Sequence, residues 1–305
     1  MKWHHQLLTL LLIILPNHHF AQENEHEDYS WVHHNLCIEN IAYGEDEDQR
    51  LDIYLQGNWI GPPAYFEADS SLRPTIVFFH GGGWISGQKE HFVYESFFLN
   101  FLKCGWNVVN VEYRLGDNTA PEAVDDALCA ISWISEHAED YHIDSKKIVL
   151  YGVSAGGHLA LIAGLMNAVP ESHPCAIGDV INIGAIINWF GVSDIRKHYD
   201  HKIEKGLENT VLLWVGSHDE VDEISELYSP VKYVTKSTPP VISIHGDADG
   251  DVIYSHSETL HELLDELNVR NQLVTIENGK HMGFTRNQFQ FAYEQIFLFL
   301  EEVME

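Results

Sequence analysis

The pentapeptide Gly152-Val153-Ser154-Ala155-Gly156 constrains the chain more than any other stretch. Lys147-Ile148-Val149-Leu150-Tyr151 precedes it, an apolar run rich in β-branched residues that reads as a buried strand. Gly157-His158-Leu159-Ala160-Leu161-Ile162-Ala163 follows and reads as a helix. A serine between the two sits in a sharp turn. Glycines on both sides let the backbone close tightly and let a second molecule approach. Such a corner pushes the hydroxyl into a cleft and aims the N–H groups that follow it at the same place.

The flanking sequence supplies a sheet for this corner. Ile38 to Tyr43 and Leu51 to Leu55 alternate partly and are separated by the acidic turn 44–49, which predicts an antiparallel hairpin. Gly61-Pro62-Pro63 marks a surface loop. Strands then alternate with helices, the pattern of a parallel sheet. Strands are expected at Thr75–Phe79, Asn107–Val111, Ile181–Trp189, Val241–His245 and Leu273–Ile276. Helices are expected over Phe92–Lys103, after Pro121, after Ser255 with a Ser255/Glu258 capping box, and through Phe289 to Val303. The fold class is α/β: a mostly parallel central sheet with an antiparallel N-terminal hairpin and helices on both faces. Residues 36–305 read as one domain, and 191–236, with two or three short helices, as a cap insertion able to roof the site.

A serine hydroxyl is almost fully protonated at neutral pH, so it needs a base, and a histidine base needs an orienting carboxylate. In a sheet of this kind ligands bind beyond the carboxyl ends of the strands. Two loops lie there. His245-Gly246-Asp247-Ala248-Asp249 follows one strand, and Gly279-Lys280-His281-Met282-Gly283 follows another. Asp247, Asp249 and Asp251 compete for the acid role, and spacing does not choose among them. His281 lies between two glycines, as in a tightly positioned loop. His158, one turn into the helix after Ser154, is expected to pack or hydrogen-bond rather than catalyse. His80-Gly81-Gly82-Gly83-Trp84 follows the strand ending at Phe79, and its glycines present backbone N–H groups without side-chain obstruction. Ala155 would add a donor at a helix N-terminus. The Gly-rich loop lacks the Lys-Ser/Thr ending of a nucleotide loop. Trp84, Trp189, Phe190 and Trp214 are candidate substrate-binding aromatics, with core packing as the competing expectation.

These segments resemble the α/β-hydrolase superfamily, in its carboxylesterase branch with a His-Gly-Gly-Gly loop. Within that branch the chain is similar to bacterial feruloyl- and acetylxylan-esterase-like proteins. The likeness is carried by Gln49 to Tyr54, His80 to Trp84, Asp126 to Trp133, Tyr151 to Leu159, Trp189 to Asp194, Pro239 to Asp249 and Gly279 to Phe284. The resemblance implies Ser154 as nucleophile, Asp249 as acid and His281 as base. It also implies Gly82, Gly83 and Ala155 as oxyanion donors, with Gly81 sharing. Met282 stands where a small residue is common, and Asp251-Val252-Ile253-Tyr254 replaces a proline-containing turn. The implied function is a secreted serine carboxylesterase acting on acetyl or feruloyl esters of plant polysaccharide. A general short-chain carboxylesterase and an arylformamidase are alternatives, and a catalytically inactive binding protein on the same fold is the alternative of another class.

Composition bounds the partners. A formal net charge of -29 argues against nucleic acid and anionic membrane, which require cationic surface. The expected partner is a small-molecule or polysaccharide-linked ester, with no cofactor and no metal. Residues 1–21 read as a signal peptide: Lys2, an apolar run from Leu7 to Leu15, Pro16, then Ala21. That run is too short to span a bilayer, so an exported, periplasmic or extracellular protein without a stable span is expected. Residues 22–35 read as a polar lead-in. Of four cysteines, Cys104 and Cys129 are expected to be buried free thiols, and Cys37 and Cys175 are candidates to pair.

Overall fold

The computed structural model describes residues 37–59, 66–68, 71–167, 175 and 181–304. The expected signal peptide and lead-in lie outside these residues.

The strands are β1 (Cys37–Ala42), β2 (Arg50–Tyr54), β3 (Gly57–Trp59), β4 (Phe66–Ala68), β5 (Arg73–Phe79), β6 (Asn107–Val111), β7 (Ile143–Val153), β8 (Ile183–Trp189), β9 (Val241–Gly246) and β10 (Asn271–Ile276). Eight of them form one sheet in the order β1-β2-β6-β5-β7-β8-β9-β10, while β3 and β4 pair separately. β1 pairs antiparallel with β2, and β2 antiparallel with β6. Every pairing from β6 to β10 is parallel. Partial apolar alternation points to this hairpin, and the alternation of strands with helices to this parallel core. The architecture is the α/β-hydrolase fold.

The helices are α1 (Phe92–Lys103), α2 (Glu122–Glu136), α3 (Ala155–Met166), α4 (Ile195–Lys205), α5 (Thr210–Val215), α6 (Val221–Tyr228), α7 (Ser255–Glu266) and α8 (Arg286–Val303). The apolar faces of α1 and α8 pack on one side, through Phe97, Phe98, Phe101, Tyr293, Ile296 and Leu300. Leu128 and Ile131 of α2, Leu159 and Ile162 of α3, and Leu260 and Leu264 of α7 pack on the other. All twelve residues of α3 are buried, which explains why its sequence is apolar all round rather than striped. Burying each of its Leu and Ile side chains contributes roughly 1.5–3 kcal/mol.

Two local expectations are corrected. The disulfide joins Cys129 to Cys175, with Cα atoms 5.2 Å apart, and Cys37 and Cys104 are the free thiols. Helical periodicity showed that Cys129 faces apolar neighbours, but not that the chain leaving α3 returns to α2. The Ser255/Glu258 capping box is not formed: Tyr254 is the cap residue of α7, and no side chain caps that end. A complete box stands instead at α8, where Thr285 accepts from the Gln288 backbone and Gln288 reaches back to Thr285.

Candidate active site

Strand register assembles the site at the carboxyl edge of the sheet. Phe79 at the end of β5 lies opposite Gly152 of β7, so the His80–Trp84 loop and the Ser154 corner leave the sheet side by side. Val153 lies opposite Trp189 of β8, and the Ser154 N–H donates to the Trp189 carbonyl at 2.9 Å. Ile276 of β10 lies opposite Gly246 of β9. The two loops that follow touch, Ala248 N–H donating to Gly279 O at 3.0 Å. A Cβ on Gly246 would fall 2.2 Å from Gly279 O, so glycine is what permits this contact.

Ser154 has φ 54° and ψ -120°, a conformation that costs a non-glycine residue about 1–3 kcal/mol and persists only when its surroundings fix it. Its surroundings do so. The 2.9 Å bond to Trp189 O holds it from below, and its own carbonyl accepts the His158 N–H at 3.0 Å as the first turn of α3. Ser154 Oγ lies 3.0 Å from His281 Nε2. On the other side of that ring, Nδ1 lies 2.8 Å from Asp249 Oδ2. Ser154, His281 and Asp249 are therefore one hydrogen-bonded chain. Phe190, at φ 41°, packs its ring on the His281 ring, with centroids 4.7 Å apart.

The structure separates the three carboxylates that spacing could not. Asp247 accepts the Asn278 N–H at 2.6 Å and braces the loop. Asp249 is buried. Its Oδ1 accepts from Asp251 N–H at 2.9 Å and Val252 N–H at 3.1 Å, and its Oδ2 faces His281 and, at 3.3 Å, His245 Nε2. Burial alone would raise its pKa. Hydrogen bonds from His245 and His281, with the backbone donors, overcome that and hold the carboxyl well below the usual carboxylate range. Asp251 pairs with Lys202.

The glycine loop is pinned by its carbonyls. Gly81 O accepts from His80 Nδ1 at 2.7 Å and from the Tyr94 hydroxyl at 3.0 Å. Gly82 O accepts from Ile85 N–H at 3.3 Å, Ser86 N–H at 3.1 Å and Ser86 Oγ at 3.0 Å. A planar trans peptide points its N–H opposite its C=O, so anchoring these two carbonyls aims the Gly82 and Gly83 N–H groups the other way. Among the described residues no acceptor bonds the N–H of Gly82, Gly83 or Ala155. Gly82 sits at φ 133°, and a Cβ there would lie 1.7 Å from Ser86 O. His80 is itself held by Glu112 Oε1 at 2.9 Å, and the Tyr113 hydroxyl donates to His80 O at 2.8 Å.

The four candidate aromatics are all enclosed. Trp84 stacks on Trp214 with centroids 4.9 Å apart, and its indole N–H donates to His158 Nδ1 at 3.2 Å. His158 Nε2 donates to Tyr228 O at 2.8 Å, so this buried histidine ties the glycine loop to the end of α6. Burial pushes its pKa down to about 4, as expected for a neutral ring that accepts at one nitrogen and donates at the other. Trp189 packs among Phe97, Phe289 and Tyr293.

Sequence reasoning did not single out Tyr94, Glu112 or His245. Glu112 reaches His80 from the neighbouring strand β6, Tyr94 reaches Gly81 O from α1, and His245 meets Asp249 through the turn of its own loop. His80 and His245 stand at matching places, the ends of β5 and β9, and that repetition was the available signal. Among the described residues no cluster suits a metal ion, and no helix is long and apolar enough to cross a membrane.

Comparison with known proteins places these features in a family. Residues 63–264 match the family model BD-FAE. The chain is 28% identical over 294 residues to isoprenylcysteine alpha-carbonyl methylesterase of Arabidopsis thaliana, covering 92% of this chain and 64% of that relative. The chain spans between 50% and 64% of the length of the curated relatives it matches first. Esterase 2 of Thermogutta terrifontis, solved with propionate bound, superposes with TM-score 0.67 at 26% identity, over 87% of this chain and 93% of that one. A truncated carbohydrate esterase from gut microbiota gives TM-score 0.71 at 23% identity, over 88% and 96%, a likeness of fold.

Proposed function

This chain belongs to the BD-FAE family, and from that membership and the Ser154 geometry we propose that it is a serine carboxylic ester hydrolase. The carrying observation is the hydrogen-bonded chain from Ser154 through His281 to Asp249, at 3.0 and 2.8 Å. The Ser154 oxygen attacks the ester carbonyl carbon while its proton passes to His281 Nε2. Asp249 accepts from Nδ1, fixes the tautomer and stabilises the imidazolium. The tetrahedral oxyanion rests on the N–H groups of Gly82, Gly83 and Ala155. His281 returns the proton to the departing alcohol oxygen as the carbon–oxygen bond breaks. Water then attacks the acyl carbon, giving a proton to His281, which passes it to Ser154 Oγ as the acyl carbon–Oγ bond breaks and the acid leaves.

The substrate class we propose is an acetyl or feruloyl ester of plant polysaccharide, met outside the cytoplasm. The sequence resemblance supports the first part. The Cys129–Cys175 disulfide supports the second, because such bonds persist in oxidising compartments. The segment 191–236, carrying α4 to α6, acts as the cap.

Ser154→Ala should abolish turnover of p-nitrophenyl acetate with the fold intact by circular dichroism. Wild-type activity in that variant would sink the assignment. Methyl ferulate, acetylated xylan, N-formylkynurenine and an isoprenylcysteine methyl ester, assayed side by side, read the substrate. Highest kcat/KM on either of the last two would overturn the polysaccharide reading.

A further inference from the structure

A second carboxylate stands beside the base, on the side where chemistry occurs. Asp251 Oδ2 lies 3.7 Å from His281 Nε2, just beyond hydrogen-bond distance, while Ser154 Oγ lies 3.0 Å from the same nitrogen. The carboxylate is 48% exposed, so its neighbours do not lock it by packing. Its other oxygen, Oδ1, is bonded by Lys202 Nζ. Lys202 belongs to α4 of the cap and is buried, its side chain 5% exposed. Next to it, His201 Nε2 donates to Gly250 O at 3.0 Å, fixing the backbone immediately before Asp251. Two consecutive residues of α4 thus hold one short loop.

The geometry points to Lys202 as a positioning residue: its ammonium holds the Asp251 carboxylate off His281 Nε2, leaving that nitrogen to the Ser154 hydroxyl. The inference rests on His281 acting as the base. A free carboxylate at this distance would close the remaining gap, because a charge-assisted hydrogen bond to an imidazolium is stronger than one to a hydroxyl. It would then compete with Ser154 for Nε2 and stabilise the protonated ring, which cannot act as a base. Lys202 supplies the opposite charge that removes this incentive. The other titratable groups facing Asp251 are His198 and His201 on α4, His281, and Asp249 in its own loop. Burial keeps His198 neutral, its pKa down to about 3, and His201 is committed to Gly250 O, so neither replaces the lysine charge.

The test is the acid limb of the kcat/KM–pH profile in three variants. Lys202→Met should move that limb up by about one pH unit, the size expected of a newly paired opposite charge, lowering activity on the acid side about tenfold. Lys202→Met with Asp251→Asn should bring the limb back, because no carboxylate remains to swing. Lys202→Arg should keep the wild-type limb. Should Lys202→Met not fold, Lys202→Gln carries the same test, since it keeps a donor and loses the charge. A wild-type limb in the single variant, or a shift that persists in the double variant, overturns the inference. Titrating the His281 imidazole by NMR reads the same shift without turnover. An inactive wild-type protein would therefore count against the ester hydrolase reading and leave this one measurable.

Discussion

Replacing Asp249 with Asn tests the site through hydrogen-bond direction. All four groups around this carboxylate are donors: the N–H of Asp251 and of Val252 at Oδ1, and His281 Nδ1 and His245 Nε2 at Oδ2. An asparagine presents one acceptor and one donor there. If its NH₂ faces the backbone, two buried N–H groups lose their acceptor, at about 1–3 kcal/mol each. If the NH₂ faces His281, the ring turns to the tautomer that accepts at Nδ1 and carries its proton at Nε2. The second arrangement costs less, and it leaves Nε2 unable to take the Ser154 proton. The expected loss in kcat is about 10⁴-fold, or about 5 kcal/mol of transition-state stabilisation at about 1.4 kcal/mol per decade. Hydrolysis of p-nitrophenyl acetate measures it, with Asp247→Asn as the control, since Asp247 only braces Asn278 N–H at 2.6 Å. A 249 variant within tenfold of wild type, or an equal loss in the 247 variant, would refute the reasoning. Stability gives a second reading. Asp249 has a lowered pKa in the fold, so its contribution is present above the unfolded value and is lost as pH falls through the folded one. The stability gap between wild type and variant should therefore narrow below about pH 4.

Two further predictions concern the scaffold. Cys129 and Cys175 close a loop of sequence separation 46; opening it by Cys129→Ser with Cys175→Ser should cost about 4 kcal/mol, read by denaturant melts with and without reductant. His158, with its pKa at about 4, stays neutral in the fold while the unfolded chain takes up a proton below about pH 6.5. Stability should therefore fall on acidification between those values, by roughly 3 kcal/mol from this residue, and His158→Gln should flatten that part of the curve in thermal melts at pH 7 and pH 5.

The parts of the molecule legible in sequence are those whose requirements are local. Ser154 was legible because its corner demands glycines at 152 and 156 between a strand and a helix. His281 and the glycine loop were legible because each directly follows an apolar strand. Asp249 was only partly so. Three aspartates share its loop, and what separates them is the set of donors each meets, which depends on β9 lying beside β10. The same holds for the supports: Glu112 reaches His80 only because β6 lies next to β5. Cys129 was misjudged because periodicity describes a helix and its face, not which distant segment crosses it. The capping box was misplaced for a related reason. Ser255 with Glu258 has the right spacing, but the chain already turns helically at Tyr254, with φ -50° and ψ -32°, so Ser255 is past the cap position.

The glycines of the nucleophile corner do more than permit a sharp turn. A Cβ on Gly156 would lie 2.1 Å from Phe79 O and 2.3 Å from His80 O, so its absence lets the first turn of α3 press against the end of β5. A Cβ on Gly152 would lie 1.9 Å from Gly156 O, so the strand and the helix it feeds are in contact at the same point. Gly157 closes the third side, where a Cβ would meet Asn188 Oδ1 at 2.7 Å, and that oxygen accepts the Gly191 N–H at 2.9 Å. These contacts set how far Ala155 stands from Gly82 and Gly83. One pair of donors belongs to the loop after β5 and the other donor to α3. They converge only because no side chain separates the two elements. In the proposed mechanism the pentapeptide therefore positions the nucleophile and also closes the oxyanion site, so substituting either glycine should act on both at once.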